Sequence, residues 1–351
     1  MKKRLSSLIL TGLLVVSVFA GCGKSEEKTT QATTQEVTTE ASTETATETA
    51  ASITDAEGTK TKDRAGNDIV IPEKVDKIVS MSPSTTRFLI DLGLSDKIIA
   101  IDTNSYAYMD SLPKDVQQFD MMEPDNEALV ALQPDIIFTS GMSNVGGMDA
   151  FQTARDAGVC VADIPSSTSF AEIAEDLKFI GSAVGEEEKA QELIDEFNDK
   201  HEMVEKLGKD VTEKKKILFM ISLPSADYPS IYTFGKGTYL DEMITDIGAE
   251  NVTGDQEGWV SITEEEAIAM NPDVIITNVD YIDDVVNVIK SAEGWGEVNA
   301  IKNDAVYYID ATSSNQPNNH TVDALIQMAK LVYPDTFDVF LDPFASPSDA
   351  E

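Results

Sequence analysis

The chain has 351 residues, of which 26 are lysine or arginine and 63 are aspartate or glutamate, and its formal net charge is −37. A field of this sign disfavours nucleic acid and anionic lipid as partners, because both would be repelled. The length suits two domains of ordinary size, each with its own core.

The N-terminus has the pattern of a secretory signal. Lys2, Lys3 and Arg4 precede a short apolar run that ends at Phe19, and Ala20-Gly21-Cys22 follows. The run is too short for a comfortable membrane span. Cys22 after Ala-Gly resembles the lipobox of bacterial lipoproteins, whose cysteine is acylated, although Phe19 stands where leucine is usual. We therefore predict a lipoprotein signal peptide over residues 1–22 and an extracytoplasmic protein anchored to the cell membrane by lipidated Cys22. Ordinary secretion is the alternative.

Residues 23–58 are mostly threonine, glutamate, alanine and serine, with almost nothing to bury. Such a segment cannot offset its ordering entropy and is predicted to be a disordered tether. Beyond Cys22 the chain has one further cysteine, Cys160, so a lipidated Cys22 leaves no intramolecular disulfide. Cys160 lies in an apolar run and is expected to be a small buried hydrophobe.

Strand and helix patterns alternate after the tether, which is typical of a parallel α/β sheet. Asp63–Asn67 has turn chemistry between two β-prone stretches and predicts a hairpin. Strands are predicted at Ile78–Met81 and Lys97–Ile101, with a helix at Thr86–Leu92 between them. Together these patterns define a first lobe over residues 59–184.

A helix–strand unit occurs twice. Glu127–Thr139 recurs 138 residues later as Glu265–Thr277, with an identical Pro-Asp pair in each copy. Each copy reads as a short helix that ends before the proline, followed by a buried strand without polar alternation. The repetition predicts two related lobes.

A long amphipathic pattern separates the two copies. From Glu186 to Leu207 the apolar residues fall on one helical face, which predicts a helix about 33 Å long. We assign residues 185–210 to a rigid interlobe helix and 211–340 to the second lobe. His201 lies on the apolar face and is interpreted as a packing residue. The predicted fold class is α/β, with two Rossmann-like lobes of mainly parallel sheet joined by this helix.

This order of parts resembles the class III substrate-binding proteins of ABC importers, a family that binds iron–siderophores, cobalamin or haem. The resemblance spans residues 60–337. It rests on short stretches that are weak singly and specific together, namely Asp63–Pro72, Lys77–Pro83, the two Glu…Pro-Asp units, Gly237–Glu242 with Gly248–Asn251, and Val322–Leu325 with Tyr333-Pro334.

The resemblance implies a ligand held between the lobes and one exposed glutamate per lobe that docks onto arginines of the permease. Those glutamates stand seven residues before the repeated proline, and here they are Glu127 and Glu265. Two solvated surface glutamates are the alternative. The implied partners are a permease dimer with its ATPase subunits, and the receptor itself is expected to be monomeric.

In doubly wound sheets, ligands lie beyond the carboxyl ends of the strands. The loops expected there are aromatic and neutral-polar, and Trp259 stands where related cobalamin binders carry a cleft tryptophan. The ligand-binding candidates are Ser82, Ser84, Tyr106, Tyr108, Met121, Met142, Tyr232, Trp259, Tyr281 and His320.

After the signal peptide the chain has three arginines. Of these, only Arg87 lies just inside a helix that is predicted to start near the cleft. This scarcity favours a weakly charged iron or cobalt chelate, because a ferric catecholate needs several basic groups. An iron–siderophore is favoured, with cobalamin or haem next. His320, opposite Met121 or Met142, could ligate haem iron, although a plain polar contact is favoured. A directly bound zinc or manganese ion is disfavoured, because the two histidines lie in different elements. No permanent cofactor is expected.

Other functional classes would require sequence motifs of their own. A surface-anchored enzyme, or a sensor or adhesin, could use the same two-lobed fold. The sequence contains no Gly-x-Ser-x-Gly elbow, Walker loop or paired-cysteine motif. We therefore predict a protein that is not an enzyme.

Overall fold

The computed structural model describes residues 58–344, except for the side chains of residues 144–146. The predicted signal peptide, the predicted lipidation site Cys22 and the predicted tether up to residue 57 lie outside the described residues. Within residues 58–344 no helix combines the length and the apolar character that a membrane span requires.

The first half alternates strands with helices, as the sequence pattern predicts. β1 and β2 form an antiparallel hairpin, and the next five strands form a parallel sheet in the order β5-β4-β3-β6-β7. The elements are β1 (Gly58–Lys62), β2 (Asp68–Pro72), β3 (Ile78–Ser80), α1 (Pro83–Asp91), β4 (Ile98–Asp102), β5 (Gln117–Phe119), α2 (Asn126–Ala131), β6 (Ile136–Phe138), α3 (Gln152–Asp156), β7 (Cys160–Ala162) and α4 (Phe170–Val184).

The interlobe helix α5 (Glu187–Gly208) follows α4 almost at once. Gly185 takes a left-handed conformation with φ 78°, which suits a residue without a Cβ, and ends α4. The 22 residues of α5 span about 33 Å. Its buried residues recur at helical spacing and include Ala190, Ile194, Phe197 and Val204.

The second half contains a four-stranded parallel sheet in the order β10-β8-β12-β13 and a separate antiparallel ribbon of β9 and β11. The elements are β8 (Lys216–Met220), β9 (Ile231–Phe234), α6 (Tyr239–Asp246), β10 (Glu250–Asn251), β11 (Trp259–Ile262), α7 (Glu264–Met270), β12 (Val274–Thr277), α8 (Val285–Lys290), α9 (Asn299–Lys302), β13 (Val306–Tyr308), α10 (Ala311–Asn315) and α11 (Thr321–Val332).

The two copies of the repeated unit occupy equivalent places, because β6 lies beside β3 and β12 lies beside β8. The aspartate of each Pro-Asp pair secures the start of the neighbouring strand. Asp135 accepts a hydrogen bond from the backbone N–H of Lys77 at 2.8 Å, and Asp273 accepts one from the backbone N–H of Lys216 at 3.0 Å. The repeated Pro-Asp is therefore a device that fixes strand register in both lobes.

The helices α2 and α7 end before the repeated prolines, as predicted. Gln133 and Asn271 take left-handed conformations with φ 52° and 46°. Since proline disfavours the α conformation for the residue before it, the chain leaves each helix at this point.

One core joins the two halves. Buried side chains run from the first sheet through α4, α5 and α11 into the second sheet, for example Phe88, Phe170, Phe197, Phe219 and Leu325. Each sheet also has a smaller core on its other face. The predicted fold class, two lobes of parallel sheet joined by a long helix, is confirmed.

The start of one helix was predicted wrongly, and one ribbon was not predicted. The helix α1 begins at Pro83 and not at Thr86. Proline suits the first helical position because its fixed φ is helical and because it has no backbone N–H that would lack a partner there. The ribbon of β9 and β11 was not predicted as a separate sheet. Its strands are four residues each and carry Tyr232 and Trp259 half-exposed, so they lack the apolar run that marks a central strand.

Candidate ligand-binding cleft

A cavity of about 370 Å³ lies between residues of both lobes, at the carboxyl ends of the parallel strands. Its size falls within the range of small-molecule sites, about 300–1,000 Å³. The lining residues are Ser82, Pro83, Ser84, Thr85, Phe88, Met121, Ser140, Met142, Ile164, Pro165, Ser166, Ser167, Thr168 and Asp176 from the first lobe, and Gly237, Thr238, Tyr239, Gly258, Trp259, Asn315 and Pro317 from the second.

Two helices begin at this cavity. The first turn of α1 contributes Ser84 and Thr85, and α6 begins at Tyr239, next to Thr238. The side-chain hydroxyl of the N-cap residue Ser82 accepts no hydrogen bond from α1, and the first turn of α1 carries no acidic residue. Helix N-termini present N–H groups and a partial positive charge. The cavity is therefore suited to ligand oxygens that carry partial or modest negative charge.

The charge of the cavity lining is nearly neutral. Asp176 is the one charged residue among those lining it, and it is buried. Arg64 donates from Nε to Asp176 at 2.5 Å, and the Ser167 hydroxyl donates to the other carboxylate oxygen. Burial raises the pKa of Asp176, although these two hydrogen bonds work in the opposite direction. The cavity presents this carboxyl group already partnered.

The rest of the lining combines hydroxyl groups with apolar side chains that include two methionines and a tryptophan. The Ser140 hydroxyl donates to the thioether of Met121 at 3.5 Å, and Met142 lies half-exposed nearby. Trp259 is 50% exposed, with its ring 6.0 Å from Tyr232 in a stacked arrangement. An exposed indole at the edge of a cavity is available to cover a ligand.

The structure brings half of the predicted binding residues together at the cavity. Those that line it are Ser82, Ser84, Met121, Met142 and Trp259, and those that do not are Tyr106, Tyr108, Tyr232, Tyr281 and His320. Tyr106 and Tyr281 are largely exposed, and the ring of Tyr232 stacks on that of Trp259. Tyr108 is buried and donates to the Gln316 side chain at 2.5 Å, which joins the two lobes beside the cavity.

His320 lies away from the methionines of the cavity. Its Nε2 is 3.0 Å from Asp91 and its Nδ1 is 2.9 Å from Asp323. Both ring nitrogens are therefore engaged, which leaves none to ligate a haem iron in this arrangement. Arg87, the arginine that the sequence left open as a cleft residue, is paired with Asp91 and does not line the cavity.

Sequence reasoning missed part of the lining. Ser166, Ser167 and Thr168 follow β7, and Asp176 lies two turns into α4. A signal for the first group was present, since Pro165–Ser169 is a run of proline and hydroxyl residues directly after a buried strand. Asp176 gave no such signal, because an acidic residue on an amphipathic helix usually faces solvent.

The two predicted docking glutamates have the same local setting. Glu127 is the second residue of α2 and Glu265 is the second residue of α7, and both are exposed. Neither forms an ion pair with any residue from 58 to 344. Two carboxylates at the same position of two equivalent helices are therefore available to a partner.

Two lobes of parallel sheet with a cleft between them are the architecture of solute-binding receptors. The sequence matches the periplasmic binding protein family over residues 78–312, and the chain belongs to that family. It is therefore a binding protein and not an enzyme.

Individual relatives agree with this assignment. The uncharacterized ABC transporter substrate-binding lipoprotein YvrC of Bacillus subtilis is 33% identical over 283 residues, which cover 78% of this chain and 85% of that protein. A solved structure of a possible iron-binding, periplasmic solute-binding protein of Staphylococcus epidermidis has 27% identity and a TM-score of 0.64, covering 74% of this chain and all of that one. The solved structure of the molybdate-binding protein MolA of Haemophilus influenzae shares the fold, with a TM-score of 0.69 and 19% identity over 80% of this chain and 93% of that one.

Proposed function

We propose that this protein is the substrate-binding lipoprotein of an ABC importer, which captures a metal chelate between its lobes and delivers it to the permease. Membership of the family and the similarity to a Bacillus subtilis substrate-binding lipoprotein support the transport role. Lipidated Cys22 would hold the receptor at the outer face of the cell membrane, close to its permease and ATPase partners.

The neutral cavity is the observation that carries the choice of ligand. Its lining contains hydroxyl groups, two helix N-termini and soft apolar side chains, but no lysine, arginine or histidine. A ferric trihydroxamate fits this chemistry because it is uncharged or weakly charged and presents oxygen atoms around the metal. A ferric catecholate does not, since its high negative charge needs several cationic partners.

Cavity size separates a chelate from a small oxyanion. The volume of about 370 Å³ corresponds to about twelve water molecules at roughly 30 Å³ each. A tetrahedral oxyanion such as molybdate would fill only a small part of it. Cobalamin and haem are the next candidates, and cobalamin, which is much the larger of the two, would require a wider separation of the lobes.

Delivery of the ligand requires a surface that the permease can recognise and bind. Glu127 and Glu265 supply one exposed carboxylate on each lobe, and matching charges of this kind steer encounter and fix register with a two-fold symmetric partner. We assign them to docking, whereas ligand affinity depends on the cleft.

The ligand can be tested by unfolding the purified protein in the presence of a ferric trihydroxamate, a ferric catecholate, cobalamin, haem and molybdate. At a hundredfold excess over the dissociation constant, the true ligand stabilises the protein by about 2.7 kcal/mol. We expect the ferric trihydroxamate to give this shift. Stabilisation by molybdate or cobalamin, with none by either iron chelate, would overturn the assignment of the ligand.

A further inference from the structure

A second cluster of reactive side chains lies where α5 meets α6. Nε2 of His201 is 2.7 Å from Oδ2 of Asp246, and Glu242 lies one helical turn before Asp246 on α6. One ligand atom from each of these three side chains lies within 4.8 Å of the other two. All three side chains are partly buried, and none lines the cleft cavity.

The surrounding structure fixes two of these side chains. The imidazole of His201 stacks on the ring of Phe170, with the ring centroids 4.2 Å apart. The backbone N–H of Phe170 donates to Oε2 of Glu242 at 2.8 Å. The other carboxylate oxygen of Glu242 accepts no hydrogen bond from residues 58–344, so it is free to face the imidazole and Asp246.

The cluster lacks a permanent cation. Within the described part of the chain, Glu242 and Asp246 form no ion pair with lysine or arginine, and His201 is the one basic group beside them. Glu205, one turn along α5 from His201, adds another carboxylate, although Lys209 is paired with it. Negative charge therefore exceeds positive charge at this junction.

The other histidine provides a contrast. His320 also lies between two carboxylates, but each of its ring nitrogens meets a different one. Arg87 is paired with the first carboxylate, that of Asp91, and Lys200 with the second, that of Asp323. That cluster is already neutralised by the protein, whereas a single nitrogen of His201 faces a pair of carboxylates without such cations.

We propose that His201, Glu242 and Asp246 bind a divalent transition-metal ion with the preferences of zinc, at a site separate from the cleft. One imidazole nitrogen and two carboxylate oxygens are ligands that zinc accepts at about 2.0–2.2 Å, with water completing the coordination. The metal binds the lone pair of a ring nitrogen, so an imidazolium ring loses one proton to solvent, whereas a neutral ring keeps its proton on the other nitrogen.

The bound ion would brace α5 against α6 and, through the hydrogen bond from Phe170 to Glu242, against the start of α4. This effect does not depend on the ligand of the cleft. The sequence disfavoured a directly bound zinc or manganese ion because the chain has only two histidines and they lie in different elements, but this site needs one histidine and two carboxylates from a neighbouring helix.

The test is a zinc titration of the purified protein, without a polyhistidine tag and after removal of metal with a chelator. We expect one equivalent of zinc to bind and to raise the unfolding temperature. His201→Gln and Asp246→Asn should each weaken binding at least about tenfold, since even indirect partners of a metal ligand contribute that much. His320→Gln is the matched control and should bind zinc like the wild type.

Glu242→Gln guards against a folding artefact, because it keeps the acceptor for Phe170 while it removes a charged ligand. It should also weaken zinc binding while its unfolding temperature without metal stays near that of the wild type. The proposal is overturned if the wild type shows no saturable zinc binding, or if His201→Gln and Glu242→Gln bind zinc as tightly as the wild type.

Discussion

His320, the N-cap residue of α11, forms a hydrogen bond with Asp91 on α1, at 3.0 Å, and thereby ties the second lobe to the first. Asn319 donates to the same carboxylate at 2.9 Å. Burial lowers the pKa of His320, but hydrogen bonds to Asp323 and Asp91 outweigh that effect and raise the pKa to about 9. Burial acts in the opposite direction on Asp91, whose pKa is nevertheless held below its usual range by His320, Arg87 and Asn319.

The first prediction concerns stability against pH. The pKa of His320 rises on folding from its ordinary value of about 6.5, so its stabilising contribution is complete below pH 6.5 and is lost as pH rises through about 9. The urea midpoint of the wild type should fall between pH 6.5 and 9.5 more than that of His320→Gln. The corresponding loss in the free energy of unfolding should be about 1 kcal/mol at most, because the His320 side chain is 36% exposed and solvent screens its pairing with Asp91. Parallel curves for the two proteins would contradict this prediction.

The second prediction concerns Trp259. The described residues contain two tryptophans, and Trp259 is half-exposed at the cavity whereas Trp295 is buried and donates to Glu264. Ligand binding should therefore change tryptophan fluorescence through Trp259 alone. Trp259→Phe should abolish the change while it preserves most of the affinity. Trp259→Ala should weaken binding about tenfold, equivalent to about 1.4 kcal/mol. An unchanged fluorescence response in Trp259→Phe would place the ligand elsewhere.

The third prediction separates docking from ligand binding. Glu127→Lys combined with Glu265→Lys should abolish uptake in cells and leave the ligand dissociation constant unchanged within about twofold, because like charges across an interface cost several kcal/mol. Glu188→Lys combined with Glu202→Lys is the control. Both of these residues are exposed on α5, and the change in net charge is the same. Loss of uptake in the control would show that net charge, and not the position of the carboxylates, is what matters.

The fourth prediction concerns the contact between α5 and α6. A Cβ at Gly208 would lie 1.9 Å from the backbone oxygen of Asp246, so the backbone must move to admit it. Gly208→Ala should lower the free energy of unfolding by about 1–3 kcal/mol, as overpacking usually does. At Gly296 a Cβ would meet nothing within 4 Å, so Gly296→Ala should be tolerated. Chemical denaturation of both variants distinguishes these outcomes.

Much of the fold could be predicted because it depends on local patterns. The predicted end of the first lobe at residue 184 coincides with the end of α4, where Gly185 takes a left-handed conformation. The repeated Pro-Asp pairs predicted equivalent strands in two sheets, and the hydrogen bonds of Asp135 and Asp273 explain why that pair recurs.

The site was less predictable, because it depends on which side of a loop faces the cleft. Ser82 and Ser84 line the cavity since α1 begins there, whereas Tyr106 and Tyr281 lie in loops of the expected region but are largely exposed. His320 was placed in the cleft from its position at the start of a helix. Its pairing with Asp91, which is 229 residues away in sequence, is a long-range contact that no local pattern encodes.

The core that runs through α4, α5 and α11 has a consequence for release of the cargo. Wide separation of the lobes would expose aromatic side chains such as Phe170 and Phe197 to water. Spontaneous opening of the receptor is therefore unfavourable. Spontaneous dissociation of the bound ligand should thus be slow. If the proposed permease drives release, it has to supply the work of opening the cleft.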